Sequence, residues 1–320
     1  MQKTCDVLLY GDTMLDIVLH LDDQLEFSEV FHVAKNVYIS PGGAAANTAV
    51  ALSRLGITSC LISTTGSDFI GTYFLRDLLG EGVSTKYIKT INGKSGLVIS
   101  FVTNRNEKVL LSYRGVCYEN TISTSGILND LRKTKLVYVS GYVFNNVDKG
   151  SSAVELLRFA HDNKVETFLE LDGMPTPNLQ VLRELKGFID FVTMNDQELK
   201  IYMETLDVNK ALLKLFNLVE PRIVFVKMGE KGSIVYDGYK IIEIPPCNTQ
   251  VIDPTGCGDA FNAGVIFGLL KGLNPTIAAQ LGNAMGAYKA MGHGARFLPR
   301  NIIELREFIL EHCSFNITIM

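Results

Sequence analysis

An α/β fold with a mostly parallel central sheet is what this chain predicts, on three observations. Short apolar, β-branched runs alternate with helix-length stretches along most of the 320 residues, the pattern of repeated strand–helix units. Hydrophobic residues make up 47% and charged residues 20%, enough to build one large core. Two stretches break the alternation, carrying strand-like runs with no long helix between them, and so predict a second, smaller β element.

In chain order, Val7–Tyr10 predicts the first strand and runs into Gly11, Asp12 and Asp16. The first irregular stretch, 15–40, contains the strand-like Val37–Ile39. Ala44–Leu55 predicts a helix and Thr58–Ile62 a strand. The second irregular stretch, 96–114, holds Leu97–Thr103 and Lys108–Tyr113. The polar run Asn104-Arg105-Asn106-Glu107 joins them as a hairpin. Leu136–Val139, Thr167–Leu171, Phe191–Met194 and Ile223–Lys227 predict further strands, and Ser151–Asn163, Gln197–Met203 and Val208–Leu218 further helices. A helix starting near Asp259 or Ala260 runs through Phe261, Val265, Ile266, Leu269 and Leu270, with Gly272 as its stop. Pro275–Met291 predicts the next.

Several classes are excluded. The net charge is −4 with no long basic run, which gives no reason to expect a nucleic-acid partner. No 18-residue apolar run exists, so no membrane span is expected, and Asp6 interrupts the first apolar stretch, which argues against a secretory leader. A cytoplasmic chain is the expectation. The six cysteines contain no C-x-x-C pair, so metal spacing is absent and free or buried thiols are expected rather than disulfides.

Chemistry concentrates in Val251–Gly264, VIDPTGCGDAFNAG. Two carboxylates, Asp253 and Asp259, flank a glycine-rich turn that enters an apolar helix. Gly256 and Gly258 let backbone N–H groups face a ligand, and the helix dipole adds positive potential. Such an anion hole beside a carboxylate suits phosphoryl transfer, which needs donors for the migrating charge and a base for the acceptor's proton. Asp259 is the candidate base, with Gly256, Cys257 and Gly258 as amide donors. Cys257 reads as a small residue in a tight turn rather than a nucleophile.

Four elements resemble the ribokinase-like (PfkB-type) sugar and nucleoside kinases. DPTGCGDAFNAG is similar to that family's C-terminal signature, and PGGAAANTAVALSRLG, Pro41–Gly56, to its glycine-rich N-terminal one. Asn195 to Glu198 match N-x-x-E, and Lys227, Gly229 and Gly232 match K-x-G-x-x-G. The resemblance implies a three-layer α/β/α fold in a single domain over 1–320, with a small β-sheet lid from about 15–40 and 96–114 and a hinge at Pro41-Gly42-Gly43. It implies ATP as donor and Mg²⁺ held through water by Glu198. It also implies a monovalent cation such as K⁺ at Asp253 with carbonyls near Lys289, Gly292 and Gly294. Nucleotide contacts would come from Asn195, Lys227, Gly229, Gly232 and Asn283. Asp12, Asp16, Gly42, Gly43 and Asn47 would hold the acceptor. Asn195-Asp196-Gln197-Glu198 also fits a plain helix cap. Some family members pair lid strands between subunits, which implies a homodimer.

The expected activity is therefore transfer of the ATP γ-phosphate to a hydroxyl of a small sugar, with a nucleoside as the alternative acceptor. For a nucleoside, Phe27, Phe31, Tyr38, Phe101, Tyr113 and Tyr142 are the aromatic candidates. A non-catalytic sugar sensor on the same fold should have lost Asp259 or a neighbouring glycine, and the chain retains them. No G-x-x-x-x-G-K-[ST] occurs, so this is not a P-loop kinase by signature, and no protein-kinase motif set is present.

Overall fold

The computed structural model describes residues 5–21, 32–103, 108–174, 179–315 and 317. The chain order is β1 (Val7–Tyr10), β2 (Met14–Leu21), β3 (Ala34–Gly42), α1 (Ala44–Arg54), β4 (Ser59–Gly66), α2 (Phe69–Gly80), β5 (Ser84–Ile91), β6 (Gly96–Thr103) and β7 (Lys108–Tyr113). It continues through α3 (Leu128–Leu131), β8 (Leu136–Val139), α4 (Ser151–Asp162), β9 (Glu166–Glu170), α5 (Leu179–Glu184), β10 (Phe191–Asn195), α6 (Asp196–Tyr202) and α7 (Val208–Val219). The last elements are β11 (Ile223–Lys227), β12 (Ser233–Tyr236), β13 (Ile241–Ile244), α8 (Cys257–Leu270), α9 (Pro275–Ala290) and α10 (Ile302–His312).

Nine strands form one sheet in the order β13-β12-β11-β10-β9-β8-β1-β4-β5. It is parallel from β5 to β11, and only β12 and β13 run antiparallel at one edge. The chain winds outward from β1 to β4 and β5, then returns to the other side of β1 with β8, so the strand order reverses between β1 and β8. Such a reversal opens a crevice at the carboxyl ends of the strands. Alternate residues feed the two faces: Val7 and Leu9 pack with Ala45, Phe261 and Val265, whereas Leu8 and Tyr10 pack with Leu156, Leu157 and Leu212. Helices thus cover both faces in three layers.

A second sheet, β3-β2-β6-β7, has four strands. β6 and β7 pair antiparallel from Leu97↔Tyr113 to Val102↔Lys108, as the hairpin reading predicts; the expected turn Asn104–Glu107 lies outside the described residues, as do Phe27 and Phe31. Sequence periodicity does not mark α2, β5, β12 or β13. β5 and β13 are edge strands with few buried residues, and β5, STKYIKTI, lacks the apolar run that reveals a central strand.

The cysteines depart from expectation. Cys5 pairs with Cys60 and Cys247 with Cys313, at Cα separations of 5.7 and 4.3 Å, leaving Cys117 and Cys257 as free thiols. The partners lie 55 and 66 residues apart, and only the fold brings them together.

α8 and α9 are apolar nearly all round because both are enclosed. Asn274 caps α9 through a 2.9 Å bond from the Ile277 amide, with Pro275 at its first position. The two helices touch through glycines: a Cβ on Gly264 would lie 2.5 Å from the Leu281 carbonyl oxygen and 2.8 Å from the Gly282 Cα. Gly264→Ala should therefore lower unfolding stability by about 2 kcal/mol, read by urea titration. An unchanged midpoint would mean that the backbones can separate freely.

Candidate active site

β1, β9, β10 and β11 bring Asp12, Glu170, Asp172, Asn195 and Lys227 to the carboxyl edge of the main sheet, and the N-terminus of α8 meets them there. Gly256 precedes the helix at φ 83°, a left-handed conformation that suits glycine. α8 opens at Cys257, earlier than the sequence suggests, because the turn closes at Gly256. The Gly258 and Asp259 amides fall in the first helical turn, where intrahelical acceptors are lacking. The Cys257 amide donates to the Pro254 carbonyl at 3.2 Å, so it is the most engaged of the predicted donors Gly256, Cys257 and Gly258. Burial pushes the Cys257 thiol up to about 11, Lys289 opposing, which leaves it a neutral small side chain at pH 7.

Asp259 is held from α1. Asn47 Nδ2 donates to its carboxylate at 2.8 Å, and Thr48 Oγ1 to its backbone carbonyl at 3.3 Å. The Asn47 oxygen accepts from Arg296 Nε at 3.0 Å. Both ends of the Asn47 amide are thus engaged, and this predicted substrate ligand sits as a brace for Asp259. Burial, and then the charge of Glu170, push the Asp259 carboxyl up to about 8 against the pull of Asn47 and Lys227.

Glu170, which no motif marks, is the hub behind this carboxylate. It is buried and accepts from Asn262 Nδ2 at 2.6 Å and Tyr138 OH at 2.5 Å, with Lys227 Nζ 3.4 Å away. Asn262 lies on α8 three residues after Asp259. The Lys227 ammonium also pairs with Asp172. Burial opposes its charge, but Asp172 and Glu170 raise it above the usual lysine range. Gly258 lies close to this ammonium: a Cβ there would be 3.1 Å from Lys227 Nζ, a tight contact. A glutamate inside an otherwise apolar strand, FLELD, was the available sequence signal for Glu170 and Asp172.

The donor side is a cavity of about 630 Å³ lined by Lys227, Gly229, Gly232, Asn195, Asn283 and Gly258, among others, a volume suited to a nucleotide-sized ligand. Asn283 Nδ2 donates to the Ile244 and Pro245 carbonyls at 3.2 and 2.9 Å, which fixes it in the wall. Asn195 does cap α6, accepting from the Glu198 amide at 2.8 Å, while its own amide donates to Asp172 at 2.9 Å. Glu198 Oε2 is buried without a protein partner. Burial, and then Asp172, push its carboxyl up to about 8. An unsatisfied carboxylate oxygen beside a second carboxylate fits a hard divalent cation or its water shell.

The acceptor side gathers Asp12, Asp16, Gly42 and Gly43. The Asp12 carboxylate pairs with Arg114 at 2.5 Å, and Arg114 also donates to Asn146 and to the Tyr142 carbonyl. Burial raises the Asp12 carboxyl and Arg114 lowers it. Sequence reading missed Arg114, which follows a lid strand with no motif around it. A Cβ on Gly42 would overlap the Asp16 carboxylate, and Gly43, at φ 95°, abuts the Asp12 carbonyl. By register Asp16, Val18 and His20 share a face with Ser40 and Tyr38. Tyr38 stacks at 4.5 Å on His293, an exposed residue of the segment after α9. Of the other aromatic candidates, Tyr113 and Tyr142 are exposed and Phe101 half-buried.

The predicted monovalent-cation set has a different occupant. The Asp253 carboxylate accepts from the Thr255 and Gly294 amides at 2.9 and 2.8 Å. The Lys289 side chain is fully buried, and its Nζ donates to the Asp253 carbonyl at 2.6 Å and to the Gly292 carbonyl at 3.0 Å. Lys289 therefore contributes its ammonium here rather than its carbonyl, and the residues present do not fit a further cation at those oxygens.

The family model described as pfkB family carbohydrate kinase matches residues 5–301. An uncharacterized sugar kinase of Archaeoglobus fulgidus is 32% identical over 261 residues, 78% of this chain and 99% of its own length. Arabidopsis thaliana ribokinase, solved with ribose and ATP, superposes with a TM-score of 0.83 at 21% identity, covering 98% of this chain and 100% of that one. Burkholderia thailandensis nucleoside kinase with inosine gives 0.82 at 22% identity, covering 97% and 100%.

The raised Asp259 carboxyl has a stability signature. A carboxyl raised in the folded state favours folding below its unfolded pKa of about 4, and that contribution is lost as pH rises to about 8. Asp259→Asn removes the loss. The variant's melting temperature should exceed wild type by an amount that grows from pH 5 to pH 8, to about 3 °C. A pH-independent difference would count against a raised carboxyl.

Proposed function

The chain belongs to the pfkB family and is a carbohydrate kinase, and on that premise we propose that Asp259 is its catalytic base. The observation that supports this is the set of neighbours of Asp259. Asn47 hydrogen-bonds its carboxylate, Asp16 and Lys227 are close enough to shift it, and Lys227 lines the cavity together with Gly258. ATP is the donor, its phosphates directed to the amides that open α8 and to the Lys227 ammonium. Asp16 and Asp12 orient the acceptor. As the acceptor oxygen bonds to the γ-phosphorus, its proton passes to Asp259, the bond from that phosphorus to the β-phosphate oxygen breaks, and ADP leaves. Glu198 and Asp172 are the residues that would hold Mg²⁺, which when bound supplies charge neutralisation at the donor phosphates. Lys289 and Asp253 brace the turn, and no step passes through K⁺.

The four-stranded sheet acts as the lid, excluding water as a competing acceptor. A small sugar is the first acceptor class. The Tyr38–His293 stack, beside the face that carries Asp16, favours a nucleoside as the second reading, because aromatic rings suit a base. The opposite lid face exposes Val37, Ile39, Val109, Leu111 and Tyr113, an apolar surface that supports dimerisation through a second copy. Among the described residues no helix is long and apolar enough to cross a membrane, and dependence on ATP supports a cytoplasmic setting.

ADP release measured across sugars and nucleosides tests the class, and silence throughout would refute the kinase reading. Asp259→Asn should retain ATP binding while kcat falls by about 10³. In the wild type, kcat/KM should drop as pH is lowered from about 8, about tenfold per unit, because only the ionised carboxylate can take the proton. A flat profile from pH 6 to 8 would remove Asp259 from that role. Ile39→Glu should shift the sedimentation coefficient from dimer to monomer; an unmoved monomeric value in both proteins would discard the lid dimer.

A further inference from the structure

The resemblance of Val251–Gly264 to the kinase signature implies a monovalent cation behind the anion-hole turn, yet this chain puts a side chain at the expected oxygens. Lys289 lies in the last turn of α9 and is fully buried. An ammonium sealed from water is unfavourable unless hydrogen-bonded and paired, and here it is bonded: 2.6 Å to the Asp253 carbonyl and 3.0 Å to the Gly292 carbonyl. The second is an ordinary N–H···O length, and the first is short, as charge-assisted bonds are. The Asp253 carboxylate supplies the neighbouring negative charge and is itself fixed by the Thr255 and Gly294 amides.

The surrounding backbone is tied to the same point. The Ala290 carbonyl accepts from the Ile252 and Asp253 amides at 2.7 and 3.2 Å. Segments 252–255 and 289–294 thus meet around one positive charge, directly before Gly256 and the opening of α8. Gly256 also has Ala295 against it, so a shift of the 289–294 segment is transmitted to the turn. The charge is close enough to Cys257 to oppose the rise of its thiol.

We propose that the Lys289 ammonium is a built-in replacement for the monovalent metal ion, bracing the anion-hole turn so that the enzyme works without K⁺. A dissociable ion holds such carbonyls only to the extent that it is bound. A lysine tethered to α9 holds them at any salt composition, and its charge adds to the positive potential of the helix terminus. The consequence for turnover rests on the kinase reading above, whereas the consequence for folding does not.

The test uses the full chain at constant ionic strength, with KCl against tetramethylammonium chloride. Wild-type kcat should change by less than about twofold between the two salts, and its melting temperature should not rise with K⁺ as mass action would require of a bound ion. Lys289→Ala should lose about 100-fold in kcat, because the turn loses its brace. Adding K⁺ or methylammonium should restore part of that loss. The melting temperature of Lys289→Ala should climb with KCl concentration. Strong K⁺ activation of the wild type, or a K⁺-dependent rise in its melting temperature, would overturn the proposal; so would wild-type turnover in Lys289→Ala. Should the alanine variant fail to fold, Lys289→Met and the wild-type salt series carry the same decision. If no acceptor turns over, the kinase reading fails by itself and the melting series still decides the role of Lys289.

Discussion

Glu170 and Lys227 face each other at the carboxyl edge of the sheet, each with its side chain largely closed to solvent, and the active centre is arranged around that pair. Glu170 reaches β8 through Tyr138 and α8 through Asn262, while Lys227 reaches Asp172. Asp172 in turn receives the Asn195 amide, and Asn195 caps the helix that presents Glu198. One buried ion pair therefore ties together α8, the cavity lined by Lys227, and the carboxyl groups of Asp172 and Glu198. Breaking such a pair from one side leaves a charge uncompensated, which is far more damaging than losing a surface contact.

The same arrangement explains why the Asp259 carboxyl is raised to about 8. Asp259 sits in a desolvated place with Glu170 as a like-charged neighbour, and Lys227 and Asn47 only partly offset them. Glu198 is raised in the same way, beside Asp172. Several carboxyl groups thus crowd this edge around the Lys227 ammonium. The turn at Gly256 opens α8, and behind it the Lys289 ammonium holds the Asp253 and Gly292 carbonyls.

The small sheet divides its two faces between two tasks. Strand alternation places Asp16, Tyr38 and Ser40 on one face and Val37, Ile39, Val109 and Leu111 on the other. A one-residue slip of β3 against β2 would send Tyr38 and Ser40 to the other face and bring Val37 and Ile39 beside Asp16. Gly42 and Gly43 join β3 to α1 where any side chain would strike Asp16 or Asp12, so the join between the two sheets brings those two carboxylates close to the glycines.

By itself the sequence determined the α/β class, six strands of the main sheet, the lid hairpin and the helix that carries Asp259. Each of these is written in local periodicity or in a glycine-marked turn, which need no distant partner to be read. It also determined the family, since four motifs keep their order along the chain. Tertiary structure alone decided what long-range pairing creates: Glu170 as hub, Arg114 on Asp12, Asn47 as brace for Asp259, and the Cys5–Cys60 and Cys247–Cys313 pairs. The role of Lys289 shows the limit most plainly. In sequence it is a basic residue near a helix C-terminus, where solvent is its ordinary neighbour. Only the packing of α9 against the 252–255 segment takes that solvent away and leaves two carbonyl oxygens for the ammonium to bind.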